Sequence, residues 1–433
     1  MQISGWGRFP TIEAKVISPV DLNAWKNSLR NEGELIPRGL GRSYGDSANA
    51  TLVLQSDYLD HYIDFDIEQG ILRCEAGLSL HEILDCIIPK GWFLPVTPGS
   101  GYVTIGGAVA SDVHGKNHHI SGTFGDHVLS IDLLLGSGEV LRVSRSQYSE
   151  LFHATCGGMG LTGIILSITL KLKAIKSSNI LQTTLKARNL EEILHQFNVN
   201  QESTYSVAWI DCLAKGAQLG RSILMLGEHS DAGDLSLEEP KKLSIPMDMP
   251  SKLLNTYSIS AFNSLYYART RQAIDQTEVS YMNFFYPLDG LRNWNRLYGK
   301  QGFVQYQFVL PKASGYEGMR EILEKISDAG KGSFLAVLKG FGPQNNNYLS
   351  FPFEGYTLAL DFKAEQATFD LIRKLDPMVV NYGGRIYLAK DALMSQETFK
   401  KGYPRWREFE EVRNKYHALG KFASSQSRRL GLA

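Results

Sequence analysis

Residues 37–46 read Pro-Arg-Gly-Leu-Gly-Arg-Ser-Tyr-Gly-Asp, with glycines at 39, 41 and 45. So much glycine holds neither a helix nor a packed strand, because glycine loses the most conformational freedom on ordering. The segment instead offers a run of backbone N–H groups with little side-chain bulk in front of them, a nest suited to a pyrophosphate. Ser43 adds a hydroxyl and Arg42 a charge. An ordinary surface turn would have the same composition. No strand–Gly-x-Gly-x-x-Gly–helix context surrounds it, so a Rossmann site is a poor match.

Two further tracts lie outward along the chain. One contains Pro98-Gly99, Thr104-Ile105-Gly106-Gly107, Ser111 and His114-Gly115; the other is Gly157-Gly-Met-Gly-Leu-Thr-Gly163. Three such tracts within about 170 residues exceed what turns alone require, since glycine is costly wherever its freedom is unused. They can line two sides of one extended cofactor. Between them the pattern predicts a helix opened by Ser18-Pro19 and running to Asn31, and a second one capped by Ser79-x-x-Glu82. Strands are expected at 128–135, 140–143 and 164–173, the last alternating apolar and polar. Farther on, helices are expected at 190–197, 318–329 and 367–375, and strands at 205–211, 302–309, 334–339 and 356–362. This is an α+β order without βαβ repetition. Residues 227–251 read as a long mobile loop at the mouth of a pocket. Residues 403–419 space Trp406, Phe409, Val412 and Tyr416 as a helix does.

At 433 residues the chain exceeds one ordinary core. Its 43% hydrophobic and 21% charged residues are those of a globular protein. Lys plus Arg (45) equals Asp plus Glu (45), which leaves no global field to attract nucleic acid or an anionic membrane. Cys74, Cys86, Cys156 and Cys212 form no C-x-x-C pair, so neither a zinc site nor a dithiol motif is expected, and the thiols read as reduced. Residues 1–10 carry no secretory pattern and no apolar run is long enough to span a bilayer. The expected location is cytoplasmic, with contact to a membrane from the side left open.

Taken together, Arg38-Gly-Leu-Gly-Arg-Ser-Tyr-Gly-Asp46, Pro98-Gly99, Thr104-x-Gly-Gly107, His114-Gly-Lys-Asn-His-His119 and Gly160-Leu-Thr-Gly-Ile-Ile165 resemble the vanillyl-alcohol-oxidase (PCMH-type) FAD-binding domain. Within that superfamily the chain is most similar to the decaprenylphosphoryl-β-D-ribose 2′-oxidase family. The resemblance resumes at Tyr205-Ser-Val-Ala-Trp209, Phe285-Tyr-Pro-Leu-Asp289, Gln305-Tyr-Gln-Phe308, Gly383-Gly-Arg-x-Tyr-x-Ala-Lys-Asp391 and Arg428-Arg-Leu430, and so covers nearly the whole chain. The His-Gly-Lys-Asn-His-His and Tyr-x-Ala-Lys-Asp strings belong to the narrower group; the glycine tracts alone indicate only the superfamily.

The resemblance implies an α+β FAD-binding domain made from residues 1–178 and again 385–433, with an antiparallel-sheet substrate domain, 179–384, inserted between. It implies noncovalent FAD and no metal. Its FAD contacts carry over to Pro37, Arg38, Gly39, Leu40, Gly41, Arg42, Ser43, Tyr44, Gly45, Asp46 and Ser47. They continue at Gly99, Thr104, Ile105, Gly106, Gly107, Ser111, His114, Ile165 and Tyr387. The family oxidises the 2-hydroxyl of a polyprenyl-phosphoryl ribose to a ketone, and a short-chain-dehydrogenase-type reductase partner completes epimerisation to the arabinose. Lys390 is the expected critical group, joined by Tyr387, Tyr44 and His114. Trp209, Gln305, Gln307, Lys339 and Asn347 are expected to shape the substrate pocket. A lone lysine is usually a solvated charge, so the matched motif is what singles out Lys390; Trp209 reads equally as core or as pocket wall. Two departures bear on the sugar or lipid accommodated: Ala359 stands where the actinobacterial enzymes carry cysteine, and Asp391-Ala392-Leu393 replaces an Asp-Ser-Arg-type sequence. The alternatives are an aldonolactone- or alditol-oxidase-like enzyme acting on a free polyol, and a non-catalytic flavin-fold partner subunit.

Overall fold

A computed structural model describes the chain except for residues 238–242, 251–253 and 271–273. The N-terminal part opens on a small parallel sheet in which Leu52–Gln55 lies between Lys15–Ile17 and Ile36–Arg38. Helix Leu22–Asn31 joins two of these strands and buries Trp25 and Leu29. It starts later than Ser18-Pro19 predicts. Asp21 takes the cap, accepting from Ala24 N at 2.8 Å, while Ser18 Oγ donates to Asp57. Strand Ile36–Arg38 runs directly into the glycine loop, so the loop leaves from the end of a parallel strand.

The second sheet is antiparallel, in the order Val140–Val143, Val128–Leu134, Ile164–Lys171, Ile71–Glu75, Tyr62–Asp66. The simple alternation expected of 164–173 is interrupted. A register shift between Ile165 and Ser167 puts both Ile164 and Ile165 in the core and leaves Leu166 half-buried. Ser79 and Glu82 form the expected reciprocal capping box on helix Leu80–Ile87.

An eight-stranded sheet makes up most of the remainder. Its order is Ile274–Ser280, Asn179–Ala187, Ser222–His229, Tyr205–Ile210, Ala336–Phe341, Gly355–Lys363, Phe303–Pro311, Arg385–Ile386, with antiparallel pairing throughout. Helices Leu190–Val199, Lys312–Asp328 and Gln366–Asn381 cover one face. The last of these passes through Pro377, beyond its expected end, because Leu375 and Val379 are both buried against the sheet. The opposite face stays open towards the glycine loops. The edge strand Arg385–Ile386 delivers the chain from this sheet into residues 387–391.

Residues 227–251 differ from the single long loop expected. Gly227 to His229 finish a sheet strand, and Leu243–Ser244 pairs in parallel with Leu291–Arg292. Arg296 Nη1 donates to the carbonyls of Ile245 at 3.0 Å and Pro246 at 2.9 Å, tying this stretch down. Positions 238–242 and 251 of the expected loop lie outside the described residues. Helix Thr256–Arg269 was not legible in sequence: its apolar residues are spread around the axis rather than gathered on one stripe. No helix among the described residues is long and apolar enough to cross a membrane.

Candidate active site

The glycine loop curls against one end of a cavity of about 760 Å³ that runs on to the open face of the large sheet. Residues 37–44 and Ser47 line it. The N–H groups of Gly39, Leu40, Gly41, Arg42 and Ser43 make no hydrogen bond with the described residues, and Ser47 Oγ is buried without a partner. These amides are half-exposed rather than buried, and a run of them beside a buried orphan hydroxyl suits an external acceptor such as an anion. Arg38 does not supply charge there. Its guanidinium is spent on Ser4 O at 2.7 Å, Ala48 O at 3.0 Å and Asn49 Oδ1 at 2.5 Å, which closes the loop on itself. Gly41 has a φ of +63°, and a Cβ there would strike the Arg38 guanidinium, so both its conformation and its neighbour demand glycine. Arg42 lies 4.6 Å from the Trp6 ring centroid.

The second tract packs directly against the first, since a Cβ on Gly39 would strike the Thr104 side chain, and the two together border the cavity. Gly99, Thr104, Gly106, Gly107, Ser111, His114 and Ile165 line the cavity. A Cβ on Gly99 would meet nothing within 4 Å and would stand in the open space. Gly106 is different. Its Cβ would lie 2.9 Å from both the Cβ and the carbonyl oxygen of Ala76, so this glycine serves helix-to-sheet packing. The amides of Ile105, Gly106 and Gly107 are already taken by Leu78 O, Ala76 O and Thr104 Oγ1. Of the two tracts only the 39–43 loop has amides left over to meet a pyrophosphate, while the 104–107 amides are already bonded within the chain.

Four expected site residues do not reach the cavity. Gly45 packs against the Asp391 carbonyl. Asp46 turns away to ion-pair with Arg429 at 2.7 Å. Ile105 is wholly buried in the core. Asn347, expected in the substrate pocket, instead accepts from His153 Nδ1 on its Oδ1 at 2.8 Å and donates from its Nδ2 to Asp112 Oδ2 at 2.8 Å, behind the cavity wall.

The large sheet contributes by its period of two. Gln305 and Gln307, Lys339 and Val337, Thr357, Ala359 and Asp361 alternate onto one face, and the register sets Gln305 opposite Asp361 and Gln307 opposite Ala359. Gln305 Nε2 donates to Asp361 Oδ1. Gln307 Nε2 donates to Thr357 Oγ1 at 3.2 Å and contacts His114 Nε2 at 3.0 Å. Burial, reinforced by Lys339, His118 and Lys390, holds the His114 pKa well below its ordinary value, so the ring is neutral and accepts from Gln307. Trp209 both lines the cavity and is buried, its indole N–H donating to Phe334 O at 3.1 Å.

Residues 387–391 bring the last groups. Tyr387 stacks on Phe351 at 4.6 Å, and its hydroxyl donates to Ser111 O at 3.0 Å. Lys390 Nζ lies 3.7 Å from the centroid of the Tyr44 ring. Their backbones are joined as well, Tyr44 N donating to Ala389 O at 2.9 Å. Burial lowers the Lys390 pKa, the nearby Asp361 carboxylate opposes this, and Lys339 adds to it. Burial likewise raises Asp361, against the Gln305 hydrogen bond and the Lys390 charge. Tyr44 is pushed well above its usual value by burial and by Asp361 and Asp289, so it is a neutral phenol. Sequence reading missed Asp361 and Thr357, which share a face with Ala359 at two-residue spacing, and Lys116, which lies inside the quoted His-Gly-Lys string.

Along its whole length the chain is 35% identical to the decaprenylphosphoryl-β-D-ribose oxidase of Mycolicibacterium smegmatis, of which it covers 97%. The chain belongs to that oxidase family. The FAD binding domain family matches residues 22–144, and the D-arabinono-1,4-lactone oxidase family matches residues 356–430. An uncharacterized Streptomyces coelicolor protein is 32% identical over 82% of this chain and all of its own length. A D-arabinono-1,4-lactone oxidase of Neurospora crassa, itself assigned provisionally, is 27% identical over only 31% of this chain and 24% of its own. The chain is thus an FAD-dependent oxidoreductase of α+β, PCMH-type fold, and sugar oxidation is the reaction of its family. The free amides of the 39–43 loop, the orphan Ser47 hydroxyl and the space beside Gly99 fit such a cofactor.

Proposed function

We propose that this protein oxidises the 2-hydroxyl of a polyprenyl-phosphoryl ribose to the ketone, with Lys390 engaging the reacting hydroxyl. The observation that carries this reading is the contact of Lys390 Nζ with the Tyr44 ring, 3.7 Å from its centroid, where the flavin loop meets the polar face of the large sheet. When bound, FAD supplies the hydride acceptor. Residues 37–44, Ser47, Gly99, Thr104, Gly106, Gly107, Ser111, Ile165 and Tyr387 would hold it without a covalent link. Lys390 Nζ, brought down by burial, is available as an ammonium that orients the hydroxyl oxygen or as an amine that takes its proton. The neutral Tyr44 ring steadies the ammonium. Gln305, Gln307, neutral His114 and Lys339 present donors and acceptors to the sugar, and Trp209 walls the apolar side. In this reading residues 1–178 and 385–433 make up the flavin domain and 179–384 the substrate domain. The strand Arg385–Ile386 pairs with the large sheet, which supports drawing that boundary near Tyr387.

The ketone product calls for a reductase of the short-chain-dehydrogenase type to complete epimerisation. A lipid-linked substrate also calls for work at a membrane surface, on its cytoplasmic side. Exposed Leu243, Met247, Tyr257 and Leu265 support this, since the Thr256–Arg269 helix that carries the last two also sends Phe262 and Tyr266 into the cavity. A second reading, oxidation of a free aldonolactone or alditol, is favoured by the match of residues 356–430 to the D-arabinono-1,4-lactone oxidase family. Anaerobic bleaching of the flavin separates the two: prenyl-phosphoryl pentoses should bleach it, and free polyols should not. Bleaching by free polyols alone would overturn the first reading.

A further inference from the structure

The cavity carries two lysines that the chemistry at Lys390 does not use. Lys339 stands on the Ala336–Phe341 strand, its register partner being Thr357, and reaches the cavity wall. Among the described residues it has no hydrogen bond, ion pair or ring contact, and burial alone brings its pKa down to about 8. Lys116 comes from the other domain, in the His114-Gly-Lys-Asn-His-His119 string. Its carbonyl accepts from Ser206 N at 2.8 Å, its Nζ donates to Phe284 O, and that Nζ lies 4.3 Å from the Phe284 ring centroid. Burial and the charge of Lys339 lower it to about 7. No carboxylate enters the causes for either lysine. The cavity's carboxylates are engaged elsewhere: Asp361 by Gln305, and Asp289 by the Gly101 amide at 2.8 Å. Two buried lysines in a low-dielectric wall, one of them further lowered by the other's charge, are unfavourable as cations unless an anion enters with the ligand.

We infer that Lys116 and Lys339 form the anion-binding end of the substrate cavity and take the phosphodiester of a sugar phosphate. The inference rests on the proposed function and adds the subsite that reads the phosphate. A flavin pyrophosphate has its own donors in the 39–43 loop. A neutral lactone or polyol would leave both lysines uncompensated, so the pair selects against the free sugars that the same oxidation chemistry would accept. Lys339 belongs beside the sugar as well, since its charge is felt at His114 and at Lys390. The phosphate is thereby held close to the reacting ring, and the apolar chain is left to run past Val207, Trp209 and Phe285.

The test uses the FAD-loaded enzyme and two probes of matched shape, a short prenyl-phosphoryl-ribose and its uncharged methylphosphonate counterpart. Anaerobic flavin bleaching gives the half-saturating concentration of each. The wild type should prefer the anionic probe by roughly 10–100-fold, as charge-assisted contacts do. Lys339→Gln and Lys116→Met should each bring the ratio towards unity, mainly through weaker binding of the anionic probe. Lys339→Gln breaks no bond within the chain, so it keeps the test open if Lys116→Met loses its flavin. An anionic preference undiminished in Lys339→Gln, or absent from the wild type, would overturn the inference. A wild-type flavin that neither probe bleaches would instead overturn the proposed function on which it rests.

Discussion

Lys390 is positioned by contacts that do not depend on its own ammonium: Tyr44 N holds Ala389 O at 2.9 Å, and Lys390 N donates to Tyr387 O at 3.0 Å. Lys390→Ala should therefore fold and keep FAD while losing substrate-driven flavin reduction by about 10²–10³, the usual effect of removing one preorganised charge interaction. Anaerobic stopped-flow at the oxidised flavin band reads this directly, and a rate within a few-fold of wild type would remove Lys390 from the mechanism. Two glycines separate cavity shape from packing. Gly99→Val puts its side chain into open space, so it should lower flavin content yet leave the unfolding midpoint of the flavin-stripped protein unchanged. Gly106→Val meets Ala76 at 2.9 Å and should lower both. Equal behaviour of the two would contradict this assignment. Most of the residues expected at the site line the cavity. Gly45, Asp46, Ile105 and Asn347 do not, because a motif names neighbours in sequence and does not say which way each side chain turns.

Within the five-stranded sheet, Asp132 on strand Val128–Leu134 gathers three neighbours. Arg73 Nη2 donates at 2.7 Å, Arg142 Nε at 2.8 Å and Ser167 Oγ at 2.6 Å. Burial pushes this carboxyl up, but the hydrogen bonds outweigh it and hold the pKa at about 2, below the reference 3.8. A depressed carboxyl contributes stability that is fully present above its unfolded pKa near 3.8 and is lost as pH falls through about 2. Asp132→Asn should cost about 1–3 kcal/mol at neutral pH, as loss of charged hydrogen bonds does, and should flatten the acid limb in that window. Urea unfolding midpoints of both proteins from neutral to strongly acid pH would show it; a gap between them that stays constant down to the lowest pH would contradict it. Three of the five strands of this sheet were readable, since two-residue alternation is local, but Tyr62–Asp66 and Ile71–Glu75 were not expected. The register shift at Ile165/Ser167 was not, because it is imposed by the neighbouring strand.

Over the whole molecule, the C-terminal helix Ser425–Leu430 closes the site from behind. Arg429 Nη2 donates to Asp46 Oδ1 at 2.7 Å and to Asp391 Oδ2 at 2.9 Å, so one guanidinium joins the glycine loop, the Lys390 segment and the chain end. Arg429→Met leaves two buried carboxylates without their partner. Thermal or urea unfolding should show a loss of about 3–5 kcal/mol, and flavin retention should fall with it. Unaltered flavin content and stability would mean the clamp is incidental. The free amides of the 39–43 loop and the absence of a recognisable attachment motif lead to a further expectation: acid or heat should release FAD from the denatured chain. Flavin that stays with the precipitated polypeptide would show a covalent link.

By itself the sequence determined the cofactor class, the α+β character and the family, because glycine tracts, caps and periodic strands act over short stretches and the motifs are dense enough to be specific. Only the tertiary structure decided which residues share a cavity. Tyr44 and Lys390 are 346 positions apart and meet through a ring contact and a backbone bond. Lys116 feels the charge of Lys339 from more than 200 positions away. Such pairings depend on sheet order, on register and on the return of the chain end to the glycine loop. Those are set by the sum of many long-range contacts, and no local run of residues carries that sum.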